Sequence, residues 1–216
     1  TGFAHHPYSF FLAPNVPMSD PNFAPLADLS RLEGVLDRTL ATYGVPRRLP
    51  LYLTEYGYET NPPDPFRGVT PERQSLYLNE AQYLAWQDPR VRSLAQFLLY
   101  DAGPNPAFPP HSQGYWSTFQ TGLLTAQGAP KPAFNAYRLP IFIPRPAVAT
   151  GTPVFVWGML RSARNGSHQQ ALIQWRPLHG PYRTLSSVAT DDPNGFLTAR
   201  VPLPGSALTT ADNTPF

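Results

Sequence analysis

Apolar residues recur with two different periods along the chain. Leu29, Leu32, Val35, Leu36, Leu40 and Tyr43 follow helical spacing. Asp28 stands before them as a capping acid, and Gly44 follows where a helix can end. The run 49–56 predicts a strand instead, with Leu51, Leu53 and Glu55 on one face by the period of two. Thr70-Pro71-Glu72 predicts a helix start: a capping hydroxyl, proline at the first helical position and an acid in the first turn. That helix is expected to run to about Trp86. Residues 91–100 predict another strand, 131–139 a last short helix, and 2–6 a strand end stopped by Pro7. Long loops are expected over 14–25 and from Gly103 to about Phe119.

Strand, helix, strand, helix, strand, loop and helix thus alternate over the first part of the chain. This order argues for an α/β arrangement of parallel strands covered by helices. The pattern changes at Pro140, and Pro144-Arg145-Pro146 reads as a linker. Short strand candidates follow at 154–160, 170–175, 182–188 and 196–201. Asn165-Gly166, His179-Gly180-Pro181 and Pro193-Asn194-Gly195 separate them as turns. This predicts a first region over 1–143 and a small all-β sandwich, Ig/fibronectin-like, over 144–216. Four strands make a thin sandwich, so further strands are expected outside the chain, and 209–216 carry no strand pattern. Trp157 and Trp175 read either as sandwich core or as a carbohydrate-binding platform.

At 216 residues the chain holds one domain or two small ones, and 42% hydrophobic residues suffice for a core. The net charge is only +2 and the single lysine, Lys131, stands among scattered arginines. A dedicated nucleic-acid partner is not expected from that distribution. Cysteine is absent, which excludes thiolate metal sites, iron–sulfur clusters and disulfides. No apolar run reaches transmembrane length, so no membrane insertion is expected. The chain opens at Thr1 without a signal-peptide pattern, which fits a processed chain or a fragment. No P-loop, dinucleotide-binding, HExxH, EF-hand or GxSxG motif occurs, and no cofactor or metal is expected.

Glu55 is the sharpest chemical feature. A carboxylate closing an apolar strand sits at the C-terminal mouth of a parallel barrel, where such folds place catalytic groups. The alternative is a strand-end acid in a salt bridge. His5 and His6 are consecutive, so on a strand they point to opposite faces and do not form a metal pair. One of them can line the mouth, or either can be a structural histidine. Tyr100 and Asp101 end the following strand. Tyr115 and Trp116 lie in the next loop, where they either stack on a sugar or pin the loop to the core. Glu59 and Asp64 read as solvated loop acids or contacts to substrate hydroxyls.

Three segments together resemble a known family. The segment 51–58, Leu-Tyr-Leu-Thr-Glu-Tyr-Gly-Tyr, lies between Phe3-Ala4-His5-His6-Pro7-Tyr8 and Phe97-Leu98-Leu99-Tyr100-Asp101. Their order is similar to the last three strands of retaining (β/α)8-barrel glycoside hydrolases of the clan that includes families 5 and 39. The ending Lys131-Pro132-Ala133-Phe134-Asn135-Ala136-Tyr137 resembles that of many bacterial members. The resemblance covers residues 1 to about 140 and implies a partial TIM barrel of about three β/α units. It implies that Glu55 is the nucleophile, that Tyr8 donates to it, and that His5, His6, Tyr100, Asp101 and Trp116 contact a carbohydrate substrate. It also implies a secreted, extracellular enzyme. In that family a glutamate after an asparagine at the end of strand four is the acid/base. By this register that strand lies upstream of Thr1, in a missing N-terminal half of the same barrel. Asn79-Glu80 has the right letters, but falls within a helix and reads as a surface acid. This chain alone is then expected to be inactive.

Two functions of different class follow. One is hydrolysis of O-glycosidic bonds in oligo- or polysaccharides by retaining double displacement. The other is a non-catalytic carbohydrate-binding or structural module that keeps the aromatics without an acid/base.

Overall fold

The computed structural model describes residues 1–145, 152–161, 167–177 and 180–203. It divides into two compact units, Thr1–Phe134 and Asn135–Phe216. The division falls nine residues before the boundary between regions expected at 143/144 from sequence. The turn at 165–166, part of the linker at Pro146, His179 and the segment 209–216 lie outside the described residues.

In the first unit, β1 (Phe3–His5), β2 (Leu51–Tyr56) and β3 (Val91–Gln96) form a parallel sheet in the order β1-β2-β3. Helix α1 (Leu29–Thr42) connects the first two strands and α2 (Pro71–Gln87) the last two. Parallel neighbours require such crossovers, because a tight turn cannot bring the chain back to the same end. Thr70 caps α2 by accepting from the Arg73 amide at 3.2 Å, as its sequence predicts. Asp28 precedes α1, yet its carboxylate accepts from the Met18 amide at 3.0 Å and pairs with Arg31 at 3.2 Å. It therefore holds the preceding loop and the Arg31 side chain rather than capping a backbone amide of the first turn. Gly44 ends α1 with φ +72°, a conformation that costs other residues energy.

Leu51 and Leu53 are fully buried on one face of β2, while Tyr52 and Thr54 are exposed on the other. The alternation then breaks. Leu53 pairs with Leu94, but Tyr56 pairs with Gln96, so three steps of β2 oppose two of β3. The extra residue is a β-bulge, and it puts Tyr56, not Glu55, on the buried face. The expectation that Glu55 shares the face of Leu51 and Leu53 is thereby corrected. Strand β3 also ends earlier than expected, at Gln96, where Leu98 adopts φ +91°. A branched residue in that region is strained, and an extended strand cannot pass through it.

In the second unit, β4 (Ile141–Phe142), β5 (Val154–Met159) and β8 (Phe196–Val201) form an antiparallel sheet in the order β4-β5-β8. Strands β6 (Gln169–Trp175) and β7 (Arg183–Thr190) form a second antiparallel pair. Val154, Val156 and Val201 of one sheet share a core with Ile173 of the other, joined by Leu185 and Val188. Trp157 is fully buried beside Phe196, with ring centroids 6.1 Å apart, whereas Trp175 is half-buried. Helix α3 (Pro132–Arg138) spans the division between the units.

Candidate active site

The site forms at the carboxyl end of β2. The bulge releases Glu55 from the buried face, and its side chain remains about one-third exposed (34%). The Tyr8 hydroxyl donates to Glu55 Oε2 at 3.2 Å, and His6 Nδ1 lies 3.3 Å from the same oxygen. Both residues follow the end of β1, the parallel neighbour of β2. Parallel pairing brings like ends together, so groups 47 residues apart in sequence meet.

Tyr8 is held from two sides. Its ring stacks on Tyr56 with centroids 6.3 Å apart and meets the edge of Phe97 at 6.5 Å. Burial, and then the Glu55 carboxylate, push the Tyr8 phenol well above its ordinary range, so it stays a donor at any physiological pH. Beneath it, Tyr56 and Tyr58 share a hydrogen bond of 2.8 Å, and Ser9 Oγ lies 3.4 Å from the Tyr56 hydroxyl. Gly57 follows directly. A Cβ there would stand 3.0 Å from the Phe97 carbonyl oxygen and 3.2 Å from Thr121 Cβ, tighter than most side chains tolerate, so glycine eases the close approach of β2 to the end of β3.

Of the seven residues singled out from sequence, the structure brings His6, Tyr8 and Glu55 together. The other four are engaged elsewhere. His5 points away from His6, as alternation requires, and its Nε2 lies 2.6 Å from the Ala24 carbonyl oxygen. Asp101 does not line a mouth. Its carboxylate is buried, 2.7 Å from Lys131 Nζ, and accepts from the Gly122 amide at 2.8 Å. Tyr100 is exposed and its backbone bridges Leu124. Trp116 is half-buried and packs against Tyr115 at 5.1 Å in the loop after β3.

Several contributors were not legible in sequence. Phe97 borders Tyr8 and in turn meets Phe119 at 5.3 Å. Gln96 donates from Nε2 to Thr121 O at 2.7 Å and Phe97 O at 2.9 Å, which braces the strained turn at Leu98. Lys131 Nζ also donates to Thr60 Oγ1 at 2.8 Å and Gln120 O at 3.1 Å, tying the segment after β2 to the segment after β3. Asp64 is fully buried rather than solvated, and Glu59 is half-buried. Burial, and then the neighbouring Asp64 carboxyl, push Glu59 up to about 7, with Arg67 opposing. Asn79 is fully buried, and the Glu80 carboxyl is half-buried and raised by that burial, so Glu80 is not a free surface acid.

Among the described residues, no group of three or more His, Asp and Glu side chains converges to hold a metal ion. No described helix is long and apolar enough to cross a membrane.

No family model and no curated protein matches the chain. Solved structures with a similar arrangement include a beta-glucuronidase of Bacteroides uniformis, covalently bound to a cyclophellitol-6-carboxylate aziridine. It is 15% identical with a TM-score of 0.38, over 93% of this chain and 22% of that one. Another is a beta-glucuronidase of Ruminococcus gnavus in complex with uronic deoxynojirimycin, 14% identical with a TM-score of 0.36, over 61% of this chain and 21% of that one. The present chain thus spans about a fifth of the length of either glycoside hydrolase.

Proposed function

We propose that this chain is part of a retaining glycoside hydrolase in which Glu55 is the nucleophile. The observation that carries this reading is the bulge before Tyr56. It turns a single carboxylate out of an apolar strand, at the carboxyl end of a parallel sheet, into contact with a phenol that remains protonated. Parallel sheets place reacting groups at that end.

In this mechanism a Glu55 oxygen bonds to the anomeric carbon as the bond to the leaving oxygen breaks. The leaving oxygen takes its proton from a second carboxyl, contributed by protein outside this chain. That group, now a carboxylate, deprotonates a water, and the water displaces Glu55 and releases the sugar. Both contacts to Glu55 fall on the same oxygen, Oε2. Tyr8 and His6 orient the carboxylate and hold its charge.

The sheet supports the companion reading of a partial (β/α)8 barrel. Ala4, Tyr52, Thr54, Ser93 and Ala95 are exposed on its strands, and β1 and β3 are edges with no further partner among the described residues. Parallel sheets are ordinarily covered on both faces, so a sheet of this kind calls for more strands. The rest of the same barrel is the partner we propose, and a carbohydrate the substrate. The second unit accompanies the barrel as a small β-sandwich.

The test is Glu55→Gln in the full-length protein. Turnover of the substrate found by screening aryl glycosides should fall at least about a thousandfold, because no nucleophile remains. A 2-deoxy-2-fluoro glycosyl fluoride should label Glu55 in the wild type. Turnover at wild-type rates in the variant, or labelling of another residue, refutes the assignment. Retention on glycans without any turnover favours a binding module instead.

A further inference from the structure

The loop 59–69 joins the end of β2 to α2, and two acids are folded against each other inside it. Asp64 is fully buried, although an aspartate in a connecting loop ordinarily points into water. Its Oδ1 accepts from the Phe66 amide at 2.8 Å. Asp64 Oδ2 and Glu59 Oε2 are both shut off from water, and among the described residues no N–H or O–H donor reaches either. The two carboxyls instead lie in hydrogen-bonding contact with each other. Two bare carboxylates repel at such a contact, and burial strengthens the repulsion. A proton between them removes it and satisfies both oxygens at once.

Around this contact the loop is closed. The Val69 amide donates to Glu59 O at 2.9 Å and the Asn61 amide to Val69 O at 2.7 Å, so the two ends of the loop pair. The Asp64 amide donates to Thr60 O at 3.0 Å. Gly68 is pressed on the opposite end, with no room for a Cβ against the Asn61 nitrogen and the Thr60 carbonyl carbon. From outside, Lys131 Nζ donates to Thr60 Oγ1 at 2.8 Å, its charge matched by Asp101. The other charged or titratable groups about Glu59 are Arg67, on the loop itself, and Tyr8, from the segment after β1. Burial is the strongest influence on Glu59 and Asp64 the next. Both favour the proton and outweigh Arg67, so the carboxyl keeps it up to about 7.

We propose that Glu59 and Asp64 hold one proton between them and that this shared proton latches the 59–69 loop shut. Its loss leaves two anions in one buried contact, and the loop opens to separate them. The charge of Glu59 is felt at the Tyr8 phenol, so opening also changes the surroundings of the donor to Glu55. That consequence rests on the hydrolytic reading of Glu55; the latch does not.

The full-length protein carries its own reporter. Arg67 is exposed, and Arg67–Gly68 is a trypsin site within the loop. While Gly68 is pressed against Asn61 that bond cannot enter a protease cleft, so its cleavage measures opening. A carboxyl that titrates at about 7 in the closed loop and about 4.5 in the open one predicts about a tenfold rise in opening from about pH 6 to about pH 8.5. Cleavage after Arg67, divided by the trypsin rate on a free peptide of the loop sequence at each pH, should rise by that factor. Glu59→Gln keeps a donor to Asp64 without the titration and should show no rise. Hydrogen–deuterium exchange of the 61–69 amides in the wild type, corrected for the intrinsic rate, should rise in parallel and needs no variant. A rise below about twofold in either readout, or the same rise in Glu59→Gln, overturns the proposal. Glu55→Gln should keep the pH-dependent cleavage. If that variant also turns over substrate, the hydrolytic reading fails while the latch stands.

Discussion

Tyr8 donates its phenolic proton to Glu55 Oε2 at 3.2 Å, and the ring that presents it is stacked on Tyr56 next door to Glu55 in sequence. One residue thus supplies a charge-assisted hydrogen bond while its neighbour on β2 fixes the donor's orientation. Tyr8→Phe keeps the stack and removes the bond. A hydrogen bond to a charged group contributes about 1.5–3 kcal/mol. If the hydrolytic reading holds, turnover by the full-length protein should therefore fall roughly tenfold to a hundredfold, with the thermal midpoint little changed. Steady-state kinetics beside a melting curve distinguish this from a packing defect, which would move both.

Glu59 links stability to pH. Its folded-state pKa is raised from 4.5 to about 7 by burial and by the adjacent Asp64. The folded state therefore holds the proton more tightly than the unfolded chain. The stabilisation is complete below about 4.5 and is lost as pH rises through about 7. Urea denaturation across that window should show stability declining with pH. Glu59→Gln, which cannot ionise, should flatten the decline. An unchanged slope in the variant would assign the effect to another group.

Lys131 and Asp101 form a buried ion pair, with side-chain exposures of 4% and 3%. Truncating one member leaves the other charge buried alone. Lys131→Met should cost about 3–5 kcal/mol, whereas removing both charges with apolar residues should cost much less. Chemical denaturation of the two single variants and the double variant measures the coupling. A loss below about 1 kcal/mol for Lys131→Met would show that the pair holds little of the fold.

Gly57 tests the close approach between the ends of β2 and β3. An alanine there would press on the Phe97 carbonyl oxygen at 3.0 Å and on Thr121 Cβ at 3.2 Å. Gly57→Ala should destabilise by about 1–3 kcal/mol, the usual cost of overpacking. Activity should fall as well, because Phe97 borders Tyr8. Equal stability of the variant would mean that the backbone there yields easily.

The sequence by itself determined the local elements. Thr70-Pro71 set the start of α2 and Gly44 the end of α1, because caps and left-handed glycines act within one turn of chain. The periods around Leu51 and Leu53, and the opposite aims of His5 and His6, follow from strand geometry alone. Glu55 stands out in the sequence as a strand-end acid, and the structure sets it against Tyr8 and His6 on a different face from the one its spacing predicts. That face depends on the register of β2 against β3, and a one-residue bulge set by that pairing reverses everything beyond it. Asp101 looked like a strand-end acid for the same reason that it was misplaced. Its partner lies 30 residues away, and nothing near Asp101 in the chain announces Lys131. Phe97 reached Tyr8 only because parallel pairing sets the ends of β1, β2 and β3 side by side. Propensities, caps and periods are contacts within a few residues, so one dimension suffices to read them. Bulges, buried ion pairs and the company a carboxylate keeps depend on which distant segments meet, and only the tertiary structure decides that.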